Sequence, residues 1–359
     1  MKATVVRPQD LGPPELAAWH AMRRAQPELG SPFLAPGFTL ATGRAHAAAR
    51  VAVLEEGNDV VGFFPFDQGP FRTARPIAAG VSDTQGVIHA PGFAWNALGL
   101  LKCCRLDVWE FNHLVAGQIP TAGRKVARHS SPVIDVSAGY EEYVAERQRG
   151  SRKVIKSTLY KVRKLERDIG PIRFEFDSHA PDALSRLIAW KSTQYRRTGR
   201  RDRFAVRWID WLVRELFASC SDGCSGVLSV LYSGDRMVAA HLGLRSERLL
   251  SCWFPAYDPE LARYSPGLSL HLKMAEAAAG AGLHRLDLGK GDEPYKQSLK
   301  TGDVTVGEGW IRRPSLGAVV QGARRTPARS VSKVILSHPR LRRATRSALR
   351  QVGSLRSPR

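Results

Sequence analysis

The sequence of 359 residues contains no long hydrophobic run, and no window reaches the roughly 18 uncharged apolar residues of a membrane-spanning helix. Its first residues, MKATVVRPQDLGPP, carry charge and proline where a signal peptide needs an apolar segment. Glycine (32 residues) and proline (22) stay well below their share in low-complexity chains. These absences exclude a collagen-like or wholly disordered chain and predict a cytoplasmic protein with a packed core.

Cysteine is also scarce, with five residues, no C-x-x-C pair and no histidine pair at zinc spacing. An odd number of cysteines in a long chain favours a reducing compartment. The sequence has no G-x-S-x-G, no P-loop, no G-x-G-x-x-G after a strand and no H-E-x-x-H. We therefore predict no metal site, and hydrolase, P-loop, dinucleotide-binding and zincin functions lose their sequence support.

Positive charge, in contrast, is abundant and unevenly placed. Thirteen of the 21 units of net charge come from residues 312–359, which contain no Asp or Glu. We predict that residues 314–359 form a basic, flexible tail that contacts an anionic membrane surface or another polyanion, peripherally at the inner membrane. A solvated tail without a ligand is the alternative. A second basic stretch, residues 147–167, has the apolar spacing of an amphipathic helix.

The order of hairpin, helix and strand occurs twice along the chain. The first hairpin joins strands beginning at Arg50 and Val60, and the second turns at Ser233-Gly234-Asp235. Further strands and helices follow each hairpin, so the pattern predicts a mixed α/β fold. At roughly 150 residues per domain, we predict an N-terminal domain over residues 1–138 and a C-terminal domain over residues 139–313 that carries the site.

The segment YDPELARYSPGLSLHLKMAEAAAGAG predicts a helix that has Ser265 as its N-cap and Pro266 at its first position. Such a helix start offers unpaired N–H groups and the positive end of the helix dipole to a phosphate or pyrophosphate. Gly267 would permit close approach of the ligand, and Arg263 would add charge. A helix end that binds only water is the alternative.

The loop after the next predicted strand, DLGKGDEPYKQSLKTG over residues 287–302, concentrates ionisable side chains at the end of a strand. Its groups suit three roles: a cation for an oxyanion or phosphate, a carboxylate for the proton of an attacking amine, and a phenol for a leaving thiolate. The candidates are Lys296 or Lys290 for the first role, Asp292 or Glu293 for the second, and Tyr295 for the third. The alternative is a helix cap with solvated lysines. His241 lies inside a strand and is either a site residue or a core histidine.

Five segments occur together in the sequence: YKVRKLERDIG (160–170), AWKSTQYRRTG (189–199), MVAAHLGL (237–244), YDPELARYSPGLSL (257–270) and LDLGKGDEPYKQSLKTG (286–302). In this combination the sequence resembles the CelD/BcsL group of GNAT-type acyltransferases of bacterial cellulose and exopolysaccharide production. The resemblance covers residues 140–312 and, more loosely, the N-terminal half, where SDTQGVI (82–88) resembles the group's corresponding strand entry.

The resemblance implies two tandem GNAT-like domains, arranged as in the Fem-type transferases, and acetyl-CoA or another acyl-CoA as co-substrate. It implies that a strand end pairs with the pantetheine arm, that a helix start holds the pyrophosphate, and that Lys296 lies near the transferred carbonyl. The residues assigned to acyl-CoA are Trp253, Phe254, Arg263, Tyr264, Ser265, Gly267 and Leu268. Those assigned to the acceptor are Lys191, Gln194, Tyr195, His241 and Asp287. Tyr264 is a second choice for protonating the CoA sulfur.

Three functions follow as hypotheses. The preferred one is direct acyl transfer from acyl-CoA to an amine or hydroxyl of a sugar or polysaccharide precursor, without a covalent enzyme intermediate. The second keeps the fold and replaces the donor by an aminoacyl-tRNA, as in Fem-type enzymes, because the basic segments suit a polyanion. The third is a non-catalytic adaptor at a membrane polysaccharide synthase.

Overall fold

A computed structural model describes residues 1–120, 126–221 and 223–313, so the predicted tail over residues 314–359 lies outside the described residues. The α-helices are α1 Pro13–Arg24, α2 Pro36–Ala45, α3 Ala97–Cys103, α4 Tyr140–Asp168, α5 Pro181–Arg197, α6 Arg207–Ala218, α7 Pro266–Gly280 and α8 Pro294–Leu299. The strands are β1 Lys2–Val6, β2 Ala49–Glu56, β3 Asp59–Gly69, β4 Thr73–Pro76, β5 Ile88–His89, β6 Val108–Val115, β7 Ala127–Asp135, β8 Ile172–Glu175, β9 Cys220–Ser221, β10 Cys224–Ser233, β11 Arg236–Arg245, β12 Leu249–Tyr257, β13 Arg285–Asp287 and β14 Gly302–Arg312.

The described strands form one 14-stranded sheet in the order β1-β2-β3-β4-β6-β14-β7-β13-β12-β11-β10-β8, with β5 beside β3 and β9 beside β10. The β4–β6 and β12–β13 pairs are parallel, and the other ladders are antiparallel. β14 lies between β6 and β7, and β13 pairs with β7. Strands from both predicted domains therefore share one sheet, and the predicted mixed α/β class is confirmed.

Helices cover both faces of this sheet. In the N-terminal half, Val51 and Val53 of β2 pack with α1, while Ala52 and Leu54 pack with α3, because successive strand residues point to opposite faces. In the C-terminal half, α2, α5 and α6 cover one face of β10–β12, and α4 and α7 cover the other. Leu212 of α6 is fully buried, which is worth about 1.5–3 kcal/mol relative to exposure.

Local sequence signals placed several elements correctly. The second hairpin turns at Gly234, which has a φ of 56° between β10 and β11. Helix α3 begins at Ala97, because the side chain of Asn96 accepts a hydrogen bond from the Gly99 N–H at 2.8 Å and caps the helix there. Among the described residues, no helix is both long and apolar enough to cross a membrane.

Candidate functional site

The site begins where β12 and β13 separate. Leu249–Ser251 of β12 pair in parallel with Arg285–Asp287 of β13, and β13 ends at Asp287. On its other side, β12 stays paired with β11 as far as Tyr257. The backbone of residues 252–257 therefore has an edge with no strand partner in the described chain. An edge of this kind can take an extended ligand as if it were an added strand.

A β-bulge shapes the start of this edge. Phe254 lies opposite Leu242 and Cys252 opposite Gly243, so Trp253 is an extra residue in β12. The Trp253 indole N–H donates to the carbonyl oxygen of Val81 at 2.6 Å. The bulge thereby fixes a loop of the N-terminal half next to the open edge.

The same bulge turns the side chains of Trp253 and Phe254 into the core shared with α5 and α6. Trp253 packs edge-to-face on Phe33 at a ring-centroid distance of 5.7 Å, and Phe254 packs against Phe204 at 5.0 Å. Both are buried. The bulge commits these two side chains to packing and leaves their backbone near the edge, so the predicted pairing of this strand with the pantetheine arm involves only backbone groups and stays a prediction.

Lys191 of α5 reaches the open edge, where its ammonium donates to the carbonyl oxygen of Pro255 at 3.0 Å. Burial lowers its pKa to about 8, and Arg200 and Lys296 act in the same direction. The ring of Tyr195, one helical turn further along α5, lies 5.5 Å from the ammonium. Gln194 has a buried side-chain oxygen without a partner among the described residues. The predicted acceptor residues of α5 thus lie along one side of the edge.

The start of α7 differs from the expectation. Ser265 occupies the predicted N-cap position but has a φ of 52°, and its hydroxyl accepts from the Lys161 ammonium at 2.8 Å instead of capping the helix. Pro266 has no N–H, and the N–H groups of Leu268 and Ser269 both point to the Ser265 carbonyl oxygen. The predicted N-cap position of Ser265 and the position of Pro266 are confirmed, but the Ser265 side chain does not cap the helix, and the first turn offers fewer open amides than expected.

The residues before α7 serve mainly in packing. The Tyr264 side chain is buried, and its hydroxyl donates to Asp168 at 2.8 Å and accepts from Arg263 at 2.8 Å. Tyr264 is therefore a structural residue of the α4–α7 contact, which corrects both its assignment to acyl-CoA and its role as an acid. Arg263 is exposed. The Gly267 carbonyl is hydrogen-bonded to Nδ1 of His271 at 2.7 Å.

A buried pair of histidines lies beneath the open edge. His241 of β11 is fully buried, and neither of its ring nitrogens has a partner among the described residues. Its ring centroid is 5.8 Å from that of His271, which lies 5.6 Å from the ring of Tyr295. Burial lowers the pKa of both histidines, so both are neutral at neutral pH. His241 is a buried histidine beneath the edge, and its assignment to the acceptor stays a prediction.

Tyr295 and Lys296 open α8 with opposite characters. Burial raises the pKa of Tyr295, followed by the effects of Cys252 and Glu293, so the phenol keeps its proton at neutral pH. Lys296 is buried, and its ammonium contacts the carbonyl oxygens of Gly289 and Lys290 at 3.1 and 3.2 Å and the Glu293 carboxylate at 3.1 Å.

The Lys296 ammonium thus donates to two backbone carbonyls of its own loop and forms an ion pair with Glu293 of the same loop. The structure therefore contradicts Lys296 as a free oxyanion or phosphate ligand and gives it the task of ordering residues 289–293. Lys290 is similarly engaged, by the Asn112 carbonyl at 3.0 Å and the Glu308 carboxylate at 2.6 Å. It ties the loop to β6 and β14.

Neither predicted proton acceptor in this loop suits the role. Burial acts to raise the pKa of Glu293, but its own backbone N–H and Lys296 outweigh burial and the net direction is downward. A carboxylate with a lowered pKa is a weak base, which corrects the assignment of Glu293. Asp292 is exposed.

Two other carboxylates are better placed. Asp287 ends β13, and its Oδ1 accepts from Ser131 at 2.8 Å and from the Gly289 N–H at 2.9 Å, yet burial still raises its pKa. Asp83 belongs to the loop that Trp253 fixes. Burial and the neighbouring Asp287 raise the pKa of Asp83 to about 7, although Arg203, Lys296 and Lys290 oppose the shift.

Sequence reasoning missed Asp83. Its segment SDTQ stood out only through the family resemblance, although four polar residues between apolar strands were a visible signal. No group of three His, Cys, Asp or Glu side chains in the described ranges could hold a metal ion. The site consequently consists of an open strand edge, a helix start, a tyrosine that keeps its proton and a carboxylate with a pKa near neutrality.

Comparison with known proteins agrees with this geometry. Residues 152–297 match the family model of the acetyltransferase (GNAT) domain, a range that extends from α4 to α8 and includes the open edge and α7. Asp83 lies outside the matched range. A comparison of the sequence with curated proteins gave no match.

Among solved structures, the chain is similar to the C-terminal domain (DUF2156) of an Agrobacterium fabrum protein assigned as a lysylphosphatidylglycerol synthetase. The identity is 12%, the TM-score is 0.51, and the match covers 80% of this chain and 91% of that one. A tandem GNAT protein of clavulanic acid biosynthesis is 10% identical with a TM-score of 0.48, and the match covers 88% of this chain and 99% of that one. FemX is 9% identical with a TM-score of 0.46, and the match covers 73% of this chain and 87% of that one. At such identities the similarity to the Agrobacterium fabrum domain concerns the fold alone.

Proposed function

We propose that the chain, whose residues 152–297 match the acetyltransferase (GNAT) domain model, transfers an acyl group, in the first instance acetyl, from acyl-CoA to an amine or hydroxyl of a sugar or polysaccharide precursor. The role we propose is in exopolysaccharide or cellulose-related biosynthesis, as in the CelD/BcsL group. The observation that carries the proposal is the open edge of β12 between Cys252 and Tyr257, directly beside the start of α7.

The pantetheine arm of CoA is an extended chain with two amide groups, so it can pair with a strand edge as another strand would. Pro255 supplies no N–H, and its carbonyl is taken by Lys191. The pairing then falls to the backbone around the Trp253 bulge. The diphosphate would lie at the α7 start, where Gly267 has room for close approach and Arg263 is exposed.

The chemistry we propose is direct transfer. A neutral acceptor amine attacks the thioester carbonyl, a C–N bond forms, the C–S bond breaks, and the CoA thiolate takes a proton. Tyr295 is the acid we assign to the sulfur, because its phenol is protonated and lies beside the open edge and His271. Positioning of the two substrates supplies a large part of the rate in such a reaction.

Gly267 offers a direct test of donor binding. A Cβ placed there meets only the Tyr257 ring at 3.6 Å, an ordinary contact, so substitution should leave the fold intact. Gly267→Asp puts a negative charge where the diphosphate is expected, and Gly267→Ala is the matched control. We expect Gly267→Asp to weaken acetyl-CoA binding at least about tenfold in titration calorimetry, from the loss of about 1.4 kcal/mol or more. Equal affinities for the two variants, or no binding by the wild type, would contradict the proposal.

One observation favours an aminoacyl-tRNA donor as a second candidate. The exposed cations Arg152, Lys156, Arg163 and Arg167 recur on one face of α4, together with the exposed ring of Tyr160. A basic face with an aromatic residue suits a nucleic acid backbone. Retention of tRNA that falls steeply between 50 and 200 mM salt, with no acetyl-CoA binding, would replace acyl-CoA by this donor. Acetyl-CoA binding without tRNA retention would exclude it.

A further inference from the structure

The loop formed by residues 80–85 in the N-terminal half is held both by the C-terminal half and by β6. Val81 accepts the Trp253 indole N–H, as described above. Gln85 accepts from the backbone N–H of Asn112 at 2.9 Å and of His113 at 3.2 Å, both in β6. These contacts leave little freedom for Asp83, which lies between them.

Asp83 itself is not sealed from solvent. One-third (33%) of its side chain is accessible, and Nε2 of His113 is 3.8 Å from its carboxylate. Burial lowers the pKa of His113 to about 3, so this imidazole is neutral and does not neutralise Asp83. A small molecule can therefore reach the carboxylate from the solvent side.

Arg203, in the segment between α5 and α6, lies near the same loop and acts electrostatically on Asp83. Its guanidinium lies against Gly80, where a Cβ would come within 2.9 Å of one of its nitrogens, and Gly80 has a φ of 98°. The Arg203 side chain makes no hydrogen bond or ion pair with any described residue in the structure. A partly buried guanidinium without a partner is suited to a phosphate or carboxylate.

We infer that Asp83 and Arg203 form the acceptor site and that it takes an amine carrying an anionic group, with Asp83 as the base that accepts the amine proton and Arg203 as the ligand of the anion. The inference rests on the proposed acyl transfer and adds to it the acceptor class and a residue of the N-terminal half. The matched family range does not contain Asp83.

The step balances as follows. The acceptor enters as an ammonium and gives one proton to the Asp83 carboxylate. The nitrogen lone pair then forms the C–N bond, the C–S electron pair leaves with sulfur, and Tyr295 protonates the thiolate. The second amine proton is released to solvent as the amide forms, and Tyr295 recovers its proton from protonated Asp83 or from water.

The first test measures kcat/KM against pH with acetyl-CoA and glucosamine 6-phosphate. The groups that face Asp83 are Asp287, Arg203, Lys296, Lys290, His113 and Tyr195. We expect the activity of the wild type to fall as the pH drops below about 7, the pKa of Asp83. Asp83→Asn should lower kcat by about 10²–10⁴-fold and abolish this acidic limb, the fall in kcat/KM at low pH, with acetyl-CoA affinity unchanged.

Asp287→Asn provides a readout that a merely structural role would not give. Because the charge of Asp287 raises the pKa of Asp83, its removal should shift the acidic limb to lower pH. The Asn side-chain oxygen can still accept from Ser131 and the Gly289 N–H. If the acidic limb of the pH profile were unchanged in both Asp83→Asn and Asp287→Asn, Asp83 would not be the base.

The anion site is tested with two acceptors. Arg203→Gln should raise KM for glucosamine 6-phosphate at least about tenfold and change KM for glucosamine less than about threefold. The control is Arg201→Gln, because Arg201 is exposed in the same segment. Equal effects on both acceptors, or no turnover of either amine while acetyl-CoA binds, would overturn the acceptor class. A wild type that binds no acetyl-CoA would instead refute the proposed function.

Discussion

Replacing Lys296 by Met separates two roles that this lysine can have. Met keeps most of the side-chain volume but leaves the carbonyl oxygens of Gly289 and Lys290 without their donor. Hydrogen bonds that involve a charged group contribute about 1.5–3 kcal/mol each. The Glu293 side chain is 45% exposed, so solvent will compensate for part of that ion pair. We expect the free energy of unfolding to fall by about 2–4 kcal/mol.

The assay is urea denaturation of the full chain, followed by tryptophan fluorescence, together with acetyl transfer at a temperature where the variant is folded. Lys300→Met is the control, because Lys300 forms a more exposed ion pair with Asp303 and should contribute less than about 1 kcal/mol. If Lys296→Met left the unfolding free energy within about 0.5 kcal/mol of the control while kcat fell more than about a hundredfold, Lys296 would act on the reacting atoms. Our account of it as the organiser of the loop would then be refuted.

Two further predictions concern stability. Gly226→Ala should lower the free energy of unfolding by about 1–3 kcal/mol, because a Cβ there comes within 2.5 Å of the Leu216 carbonyl oxygen of α6. A Cβ at Gly280 meets nothing within 4 Å, so Gly280→Ala should leave the free energy of unfolding unchanged or raise it by up to about 1 kcal/mol in the same urea assay. The pKa of the Asp83 side chain rises from 3.8 to about 7 on folding, so the ionised carboxylate destabilises the folded state. This destabilisation is complete above about pH 7 and absent below pH 3.8. Asp83→Asn should therefore raise the melting temperature at about pH 8 and leave it nearly unchanged at about pH 4; an equal shift at both would contradict the pKa.

Elements with strong local signals could be predicted from the sequence. The turn at Gly234 and the start of α7 after Ser265 depend on residues within a few positions of each other. β7 shows the limit of such signals. Its apolar residues begin only at Pro132, yet the strand begins at Ala127, because β14, a strand far away in the sequence, pairs with the polar residues before Pro132.

The candidate site shows the same difference between local signals and long-range contacts more clearly. Residue types in the loop of residues 287–302 correctly indicated dense charge, but their roles depended on distances that no spacing reveals. Lys296 turned out to bind backbone carbonyls, and Glu293 turned out to be its partner. Asp83 is joined to the site by the contact of Val81 with Trp253. Residues so far apart along the chain meet only because the sheet brings them together.

The central place of β14 has a consequence for the growing chain. β6 and β7 are complete by residue 135, but the strand that lies between them is not finished until residue 312. At about 5–20 residues per second, the ribosome needs roughly 10–35 s to supply it. During that time the edges of β6 and β7 that will pair with β14 have no strand partner. Chaperones that shield nascent chains should therefore matter more for the yield of this protein than its final stability would imply.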